Sequence, residues 1–260
     1  MEFPSSALPQ HRSFISQAIL KFKSDKRIVG LACSGSYSDN TLDEYSDLDF
    51  VVAVDPLHYE EVFTKRFEMI AELGDLVSAF SGDHVGEPRL VIALYGPDGL
   101  HIDFKFAKAN DISDRVDEPT ILWERTGQLS EALAKGHGAY PRLDEQWVED
   151  RFWTWMHYCA GKICRGEYFE ALDFLSFIRV QVLGPLALQQ AGYEPRGVRK
   201  IEFVLPKFAM QLLSTVCQPE KEQLKLAAEN AASIYLDMRS SEVSTQDRAK
   251  QIAMSALQKI

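Results

Sequence analysis

The sequence predicts an α+β chain, with an N-terminal mixed β-sheet domain flanked by helices and a C-terminal helical bundle. Short β-rich runs alternate with turns and one helical stretch between Arg27 and Ala107. After about Pro119 the pattern becomes helical almost to the end. The chain of 260 residues has no internal repeat or low-complexity tract, and that length suits one large domain or two modest ones. The change of character divides it into residues 1–140, with a core at 28–106, and residues 141–260.

The elements read in order. Leu8 to Ser24 predicts an amphipathic helix, with Phe14, Ile15, Ala18, Ile19 and Phe22 at helical spacing. Arg27 to Cys33 is a short apolar strand, and Gly35-Ser36 opens a short helix or turn directly after it. Asp47 to Val54 is a strong strand that Asp55-Pro56 ends. Leu57 to Leu73 is helical. Leu76 to Phe80, Arg89 to Tyr95 and His101 to Phe106 are three further strands. Gly96-Pro97-Asp98-Gly99 joins the last two as an antiparallel hairpin. In the second half, helices are expected over Leu122 to Lys135, Gln146 to Arg165, Tyr168 to Ala191 with an interruption at Gly184-Pro185, Pro206 to Thr215, Pro219 to Met238, and Ser244 to Gln258.

Composition bounds the function. The chain is 46% hydrophobic and 25% charged, enough apolar material for a core, which excludes whole-chain disorder. The net charge of −10 disfavours a general nucleic-acid coat and suits metal cations or a cationic small molecule. Four cysteines at wide, irregular spacing form no CxxC pair, which argues against a zinc site and a disulfide framework. Met1 to Gln10 does not look like a secretory signal, and no uninterrupted apolar run approaches the roughly 20 residues needed to cross a bilayer. A cytoplasmic protein without a membrane partner, monomeric or homodimeric, is expected.

The informative segment is Gly35-Ser36, ten intervening residues, then Asp47-Leu48-Asp49. Side chains at i and i+2 of a strand share a face, so Asp47 and Asp49 point the same way. Two like charges held that close are unfavourable unless a cation lies between them or one is protonated. Hard divalent cations such as magnesium take carboxylate and phosphate oxygens together. In Leu100 to Phe106 the apolar residues alternate with His101, Asp103 and Lys105. Were that strand to lie beside the Asp47–Asp49 strand, three carboxylates would converge, enough to hold one or two Mg2+ ions near a triphosphate. Gly35 allows close backbone approach to a ligand, and Ser36 offers a hydroxyl and backbone N–H groups to phosphate. Lys105 is a candidate phosphate contact, or else a member of an ion pair. His101 reads as a satisfied structural residue, Asp39, Asp43 and Glu44 as solvated turn residues, and Trp153, Trp155 and Tyr158 as bundle core.

The order strand, Gly-Ser, ten residues, Asp-Leu-Asp, strand, then a later strand with a lone Asp resembles the nucleotidyltransferase superfamily of DNA polymerase beta. The sheet domain followed by helices resembles the bacterial aminoglycoside and lincosamide nucleotidyltransferases. The motif resemblance covers roughly Ile28 to Phe106; the helical half is similar in layout, with Lys162-Ile163-Cys164-Arg165-Gly166-Glu167 and Ala171 similar to helices of this group. The resemblance implies that residues 1–140 are a nucleotidyltransferase domain and 141–260 a helical substrate-binding domain. It implies that Gly35 and Ser36 bind the triphosphate and that Asp47, Asp49 and Asp103 are catalytic metal ligands. Asp103 would bind a second metal or help deprotonate the acceptor. The implied reaction is attack by a hydroxyl on the α-phosphorus of a nucleoside triphosphate, ATP by default, with pyrophosphate leaving. The acceptor would be a small hydroxylated molecule such as an aminoglycoside-like antibiotic. Glu149, Asp150 and Glu167 are open candidates for an acceptor-activating base from the helical half. The rival readings are transfer to a protein or RNA partner, as in toxin–antitoxin relatives, and a non-catalytic nucleotide-binding module.

Overall fold

The computed structural model describes residues 2–260 and divides into two compact units, Met1–Tyr140 and Pro141–Ile260. The first holds a six-stranded mixed sheet and the second is helical. The first unit opens with α1 (Pro9–Ser24), followed by β1 (Ile28–Ser34), β2 (Leu48–Val54), α2 (Tyr59–Ala71), β3 (Leu76–Gly82), β4 (Glu87–Tyr95), β5 (Leu100–Lys108), β6 (Thr120–Glu124) and α3 (Gln128–Leu133). The strand order is β3-β4-β5-β2-β1-β6. The β2–β5 pair at the centre is parallel and the other pairs are antiparallel.

Alternation along the central strands makes two different faces. Leu48, Phe50, Val52 and Val54 of β2, with Ile102, Phe104 and Phe106 of β5, enter the main core beside Phe14, Ile15, Ala18 and Phe22 of α1. Phe50 and Phe104 stack at 5.4 Å, a geometry worth about 0.5–1.5 kcal/mol beyond the area it buries. The opposite face carries a smaller cluster of Val29, Ala32, Ala53, Ala107, Ile112 and Leu129. There α3 presses so closely on β1 that a Cβ on Gly30 would lie 2.7 Å from Leu129. This second apolar layer covers the ends of β2 and β5 that carry Ala53 and Ala107. Asp49 and Asp103 lie at the other ends.

β6 corrects the expectation that helix begins after Pro119. Residues 122–135 are not one helix, because Thr120–Glu124 adds an edge strand to β1. Thr126 and Gly127, both at positive φ, then turn the chain into α3. Gly35-Ser36 opens a turn.

The second unit contains α4 (Glu145–Cys164), α5 (Tyr168–Ile178), α6 (Gly184–Gln190), α7 (Ile201–Val204), α8 (Pro206–Leu212), α9 (Lys221–Met238) and α10 (Asp247–Gln258). Asp144 caps α4 by accepting from the backbone N–H groups of Gln146 and Trp147. Phe152 stacks on Tyr235 at 3.9 Å, and Trp153 is buried in the same core. A π-helical turn, Arg179–Leu183, carries α5 into α6 across the expected break. The resulting run, Tyr168–Gln190, is 23 residues long and passes the length and composition test for a membrane span. Asp173 and Arg179 interrupt its apolar residues, so the sequence holds no unbroken apolar run of that length there. In the folded unit 56% of its most apolar 18-residue window is buried, as expected of a core helix.

Candidate active site

The site is built on the central parallel pair. In the β2–β5 register Asp49 lies opposite Asp103, and Val51 lies opposite Lys105. These residues share the face opposite the main core, so the two carboxylates are neighbours on one side of the sheet. Ser34, the last residue of β1, lies opposite Asp49 on its other side. Asp49 is thus flanked by β1 and β5, and the chain that leaves β1 enters the Gly35-Ser36 turn beside it.

Gly35 fits this position for a steric reason. Its φ is +59°, and a Cβ built there would lie 2.5 Å from Asp49 Oδ2. Only glycine lets the turn approach the carboxylate this closely without strain. The turn continues through bonds from Asp39 N to Gly35 O and from Thr41 N to Ser36 O, 3.1 and 2.9 Å. Ser38 Oγ reaches Cys33 O at 2.9 Å and Thr120 Oγ1 at 3.0 Å, which ties the turn to β1 and to the edge strand.

Asp103 is half-buried, and burial pushes its carboxyl above the ordinary carboxylate range. The nearby negative charge of Asp47 pushes the same way, while His101, whose Nε2 is 3.1 Å from Asp103 Oδ1, pulls it down. His101 is therefore a partner of the candidate site. Asp47 stands one residue before β2 begins, so the pleat that aligns Asp49 with Asp103 does not orient it. Among the described residues, no group of three or more His, Cys, Asp or Glu side chains is gathered tightly enough to hold a metal ion. The structure brings Asp49 and Asp103 into register and leaves Asp47 at the strand's entrance. The donors are all hard carboxylate oxygens beside a glycine turn, a set whose chemistry fits magnesium rather than a soft metal.

Lys105 takes the second of its expected roles. Its Nζ lies 3.0 Å from Glu87 Oε2, and Arg89 makes a 2.6 Å contact with the same oxygen. These bonds hold Glu87 down at about 2, Arg89 contributing most. Next to Asp49 and Asp103 the same face opens into a cavity of about 130 Å³, bounded by Ser34, Val51, Arg89, Lys105, Asp114 and Arg115.

The three candidate bases from the helical half have different surroundings. Glu149 is fully buried. Its carboxylate accepts from Trp153 Nε1, Tyr235 OH, Arg239 and the backbone N–H of Gln246, at 2.6–3.2 Å. A carboxylate so enclosed serves the bundle's structure, which corrects its candidacy as an acceptor base. Glu167 pairs with Lys162 at 2.6 Å and with Arg165 at 3.6 Å. Asp150 accepts from the side-chain amides of Gln146 and Gln246.

A family model described as a nucleotidyltransferase domain matches residues 15–85, which span α1, β1, the Gly-Ser turn, Asp47 and Asp49. The matched segment lies within the N-terminal unit and supports nucleotidyl transfer in general. No curated protein matches the chain. Among solved structures, an aminoglycoside 6-adenyltransferase from Bacillus subtilis is similar at 14% identity and a TM-score of 0.36, over 94% of this chain and 90% of that one. A nucleotidyltransferase-like protein from Exiguobacterium sibiricum is similar at 11% identity and a TM-score of 0.38, over 91% and 75%.

Proposed function

We propose that this enzyme is magnesium-dependent and moves a nucleoside monophosphate, AMP from ATP, to a hydroxyl of a small acceptor of the aminoglycoside kind. The observation that carries the reading is the in-register Asp49–Asp103 pair beside a glycine turn that a side chain would obstruct. Asp47, Asp49 and Asp103 are the residues that would hold the metal, with Gly35 and Ser36 at the triphosphate. Bound there, magnesium would neutralise phosphate charge and stabilise the leaving pyrophosphate. The acceptor oxygen forms a bond to the α-phosphorus, the bond to the pyrophosphate oxygen breaks, and the acceptor's proton passes to a carboxylate. Asp103 suits that last role, since a carboxyl raised by burial holds a proton better than an exposed one. The net charge of −10 suits a polycationic acceptor and opposes nucleic acid.

The test is pyrophosphate release from ATP, GTP, CTP and UTP with magnesium across a panel of aminoglycosides and lincosamides. The control is the Asp47→Asn, Asp49→Asn double variant. Release that requires one acceptor and is lost in the control is expected. Silence across the panel, with magnesium-dependent nucleotide binding intact, would remove the antibiotic acceptor and keep the transferase.

A further inference from the structure

The cavity beside Asp49 and Asp103 has a floor and a wall of different origin. The sheet supplies Ser34, Val51, Arg89, Lys105 and Ala107, and residues 111–119, which follow β5, supply the rest. Its volume of about 130 Å³ is well below the roughly 300 Å³ at which sites for whole ligands begin. It suits one ring of a larger substrate.

The wall is pinned along its length. Ile112 is buried in the cluster that holds Ala107 and Leu129. The Arg115 side chain is 11% exposed. Its guanidinium donates to Glu118 Oε2 at 2.7 Å and to the carbonyl oxygen of Gly136 at 3.0 Å. The Arg115 carbonyl accepts from Ala139 N at 3.1 Å, and the Glu118 carboxylate accepts from Gly138 N. The two segments approach so closely that a Cβ on Gly136 would lie 2.5 Å from Ser113 O, and one on Gly138 2.6 Å from the carbonyl carbon of Asp117. The side chains of the wall are therefore in place before a ligand arrives, which cuts the ordering cost of binding.

Charge selects what the cavity takes. Each cation in the lining already has a carboxylate: Lys105 and Arg89 share Glu87, and Arg115 has Glu118. Asp111 and Asp114 are exposed on the wall, and among the described residues neither has an ion pair or a side-chain hydrogen bond. The charge left over is negative, which attracts an ammonium group and repels a phosphate. Val51, Ala107, Val116 and Pro119 offer a ring apolar contact. We propose that this cavity is an acceptor subsite for one amino-bearing ring, with Asp111 and Asp114 as its ammonium partners and Arg115 as the positioning residue that fixes the wall. This rests on the transfer reading above.

The experiment is saturation-transfer NMR on the full chain with two probes of similar size. One is 2-deoxystreptamine, a six-membered ring bearing two ammonium groups, and the other is myo-inositol, a six-membered ring bearing only hydroxyls. Wild type is expected to bind the diamine and not inositol. The Asp111→Asn, Asp114→Asn double variant, at exposed positions, should melt as wild type and bind the diamine at least about tenfold more weakly, the scale of one charge-assisted hydrogen bond. A control with the same change of charge, Asp98→Asn with Glu222→Gln, should bind as wild type. Arg115→Ala and Gly136→Ala, which release or displace the wall, should weaken the diamine severalfold while magnesium-dependent nucleotide binding holds, a split that general loss of structure would not give. Should either fail to fold, the aspartate double variant decides. A wild type that binds inositol as well as the diamine, or binds neither, overturns the proposal. So does diamine affinity unchanged in the aspartate double variant, or equally weakened in the control. Unchanged affinity in both Arg115→Ala and Gly136→Ala overturns the positioning role. Diamine binding lost in the aspartate variant, with no nucleotidyl transfer to any aminoglycoside, would keep the subsite and remove the antibiotic reading.

Discussion

At Gly35 and Asp103 single atoms decide what the site tolerates. Gly35 holds a left-handed backbone at φ +59°, against Asp49 Oδ2. Gly35→Ala is expected to cost about 1–2 kcal/mol from the backbone alone, and to displace the Asp49 carboxylate. Denaturant unfolding should show that loss, together with weaker magnesium-dependent nucleotide binding. For Asp103 the folded state favours the protonated form, because burial and Asp47 both raise its pKa. A carboxyl raised in this way adds stability at acid pH, where it is protonated, and loses it as pH rises through its folded value. Asp103→Asn is neutral at every pH. The variant is therefore expected to melt above wild type at about pH 7, with the gap narrowing toward about pH 4, while transfer activity is lost. A variant that melts below wild type at neutral pH would contradict this electrostatic account.

Among the elements, the central strands were the most legible in the sequence. Their alternation set Phe50 and Phe104 against Asp49 and Asp103, and period-2 geometry allows one arrangement of such faces. The parallel β2–β5 pairing was not in the pattern, since alternation fixes a strand's faces but not its neighbours. β6 was missed for a related reason. Thr120–Glu124 is an edge strand whose residues are all partly or fully exposed, so the run merged with the helix beyond Gly127. Glu149 misled in the other direction. A carboxylate near the start of an aromatic helix reads as available, yet its partners lie on α4, α9 and the residues beside α10, far apart in sequence. Glu149→Ala is expected to destabilise the helical unit by about 3–5 kcal/mol, because it strands Arg239 and the Tyr235 hydroxyl. Unfolding followed by the tryptophan fluorescence of that unit would measure it. A loss under about 1 kcal/mol would mean the network carries little of the bundle's stability.

For the whole chain, residues 15–85 carry the nucleotidyltransferase signature. Gly35-Ser36 and Asp47-Leu48-Asp49, the residues on which the resemblance was read, fall inside that match. The hold of the N-terminal segment on the loop before Asp47 was not legible in the sequence, because Ser6 meets Asn40 and Leu42 across 34 and 36 residues of chain, contacts that are local only after folding. The acceptor was least legible, since the helical half offers packing residues and surface ion pairs but no motif. The central claim is that Asp47, Asp49 and Asp103 together hold the metal. It is tested most directly by anomalous diffraction from crystals grown with Mn2+ and the non-hydrolysable ATP analogue. The account predicts a manganese peak about 2.0–2.3 Å from oxygens of Asp49 and Asp103, with Asp47 completing the set. A nucleotide bound with no manganese at these carboxylates would contradict it.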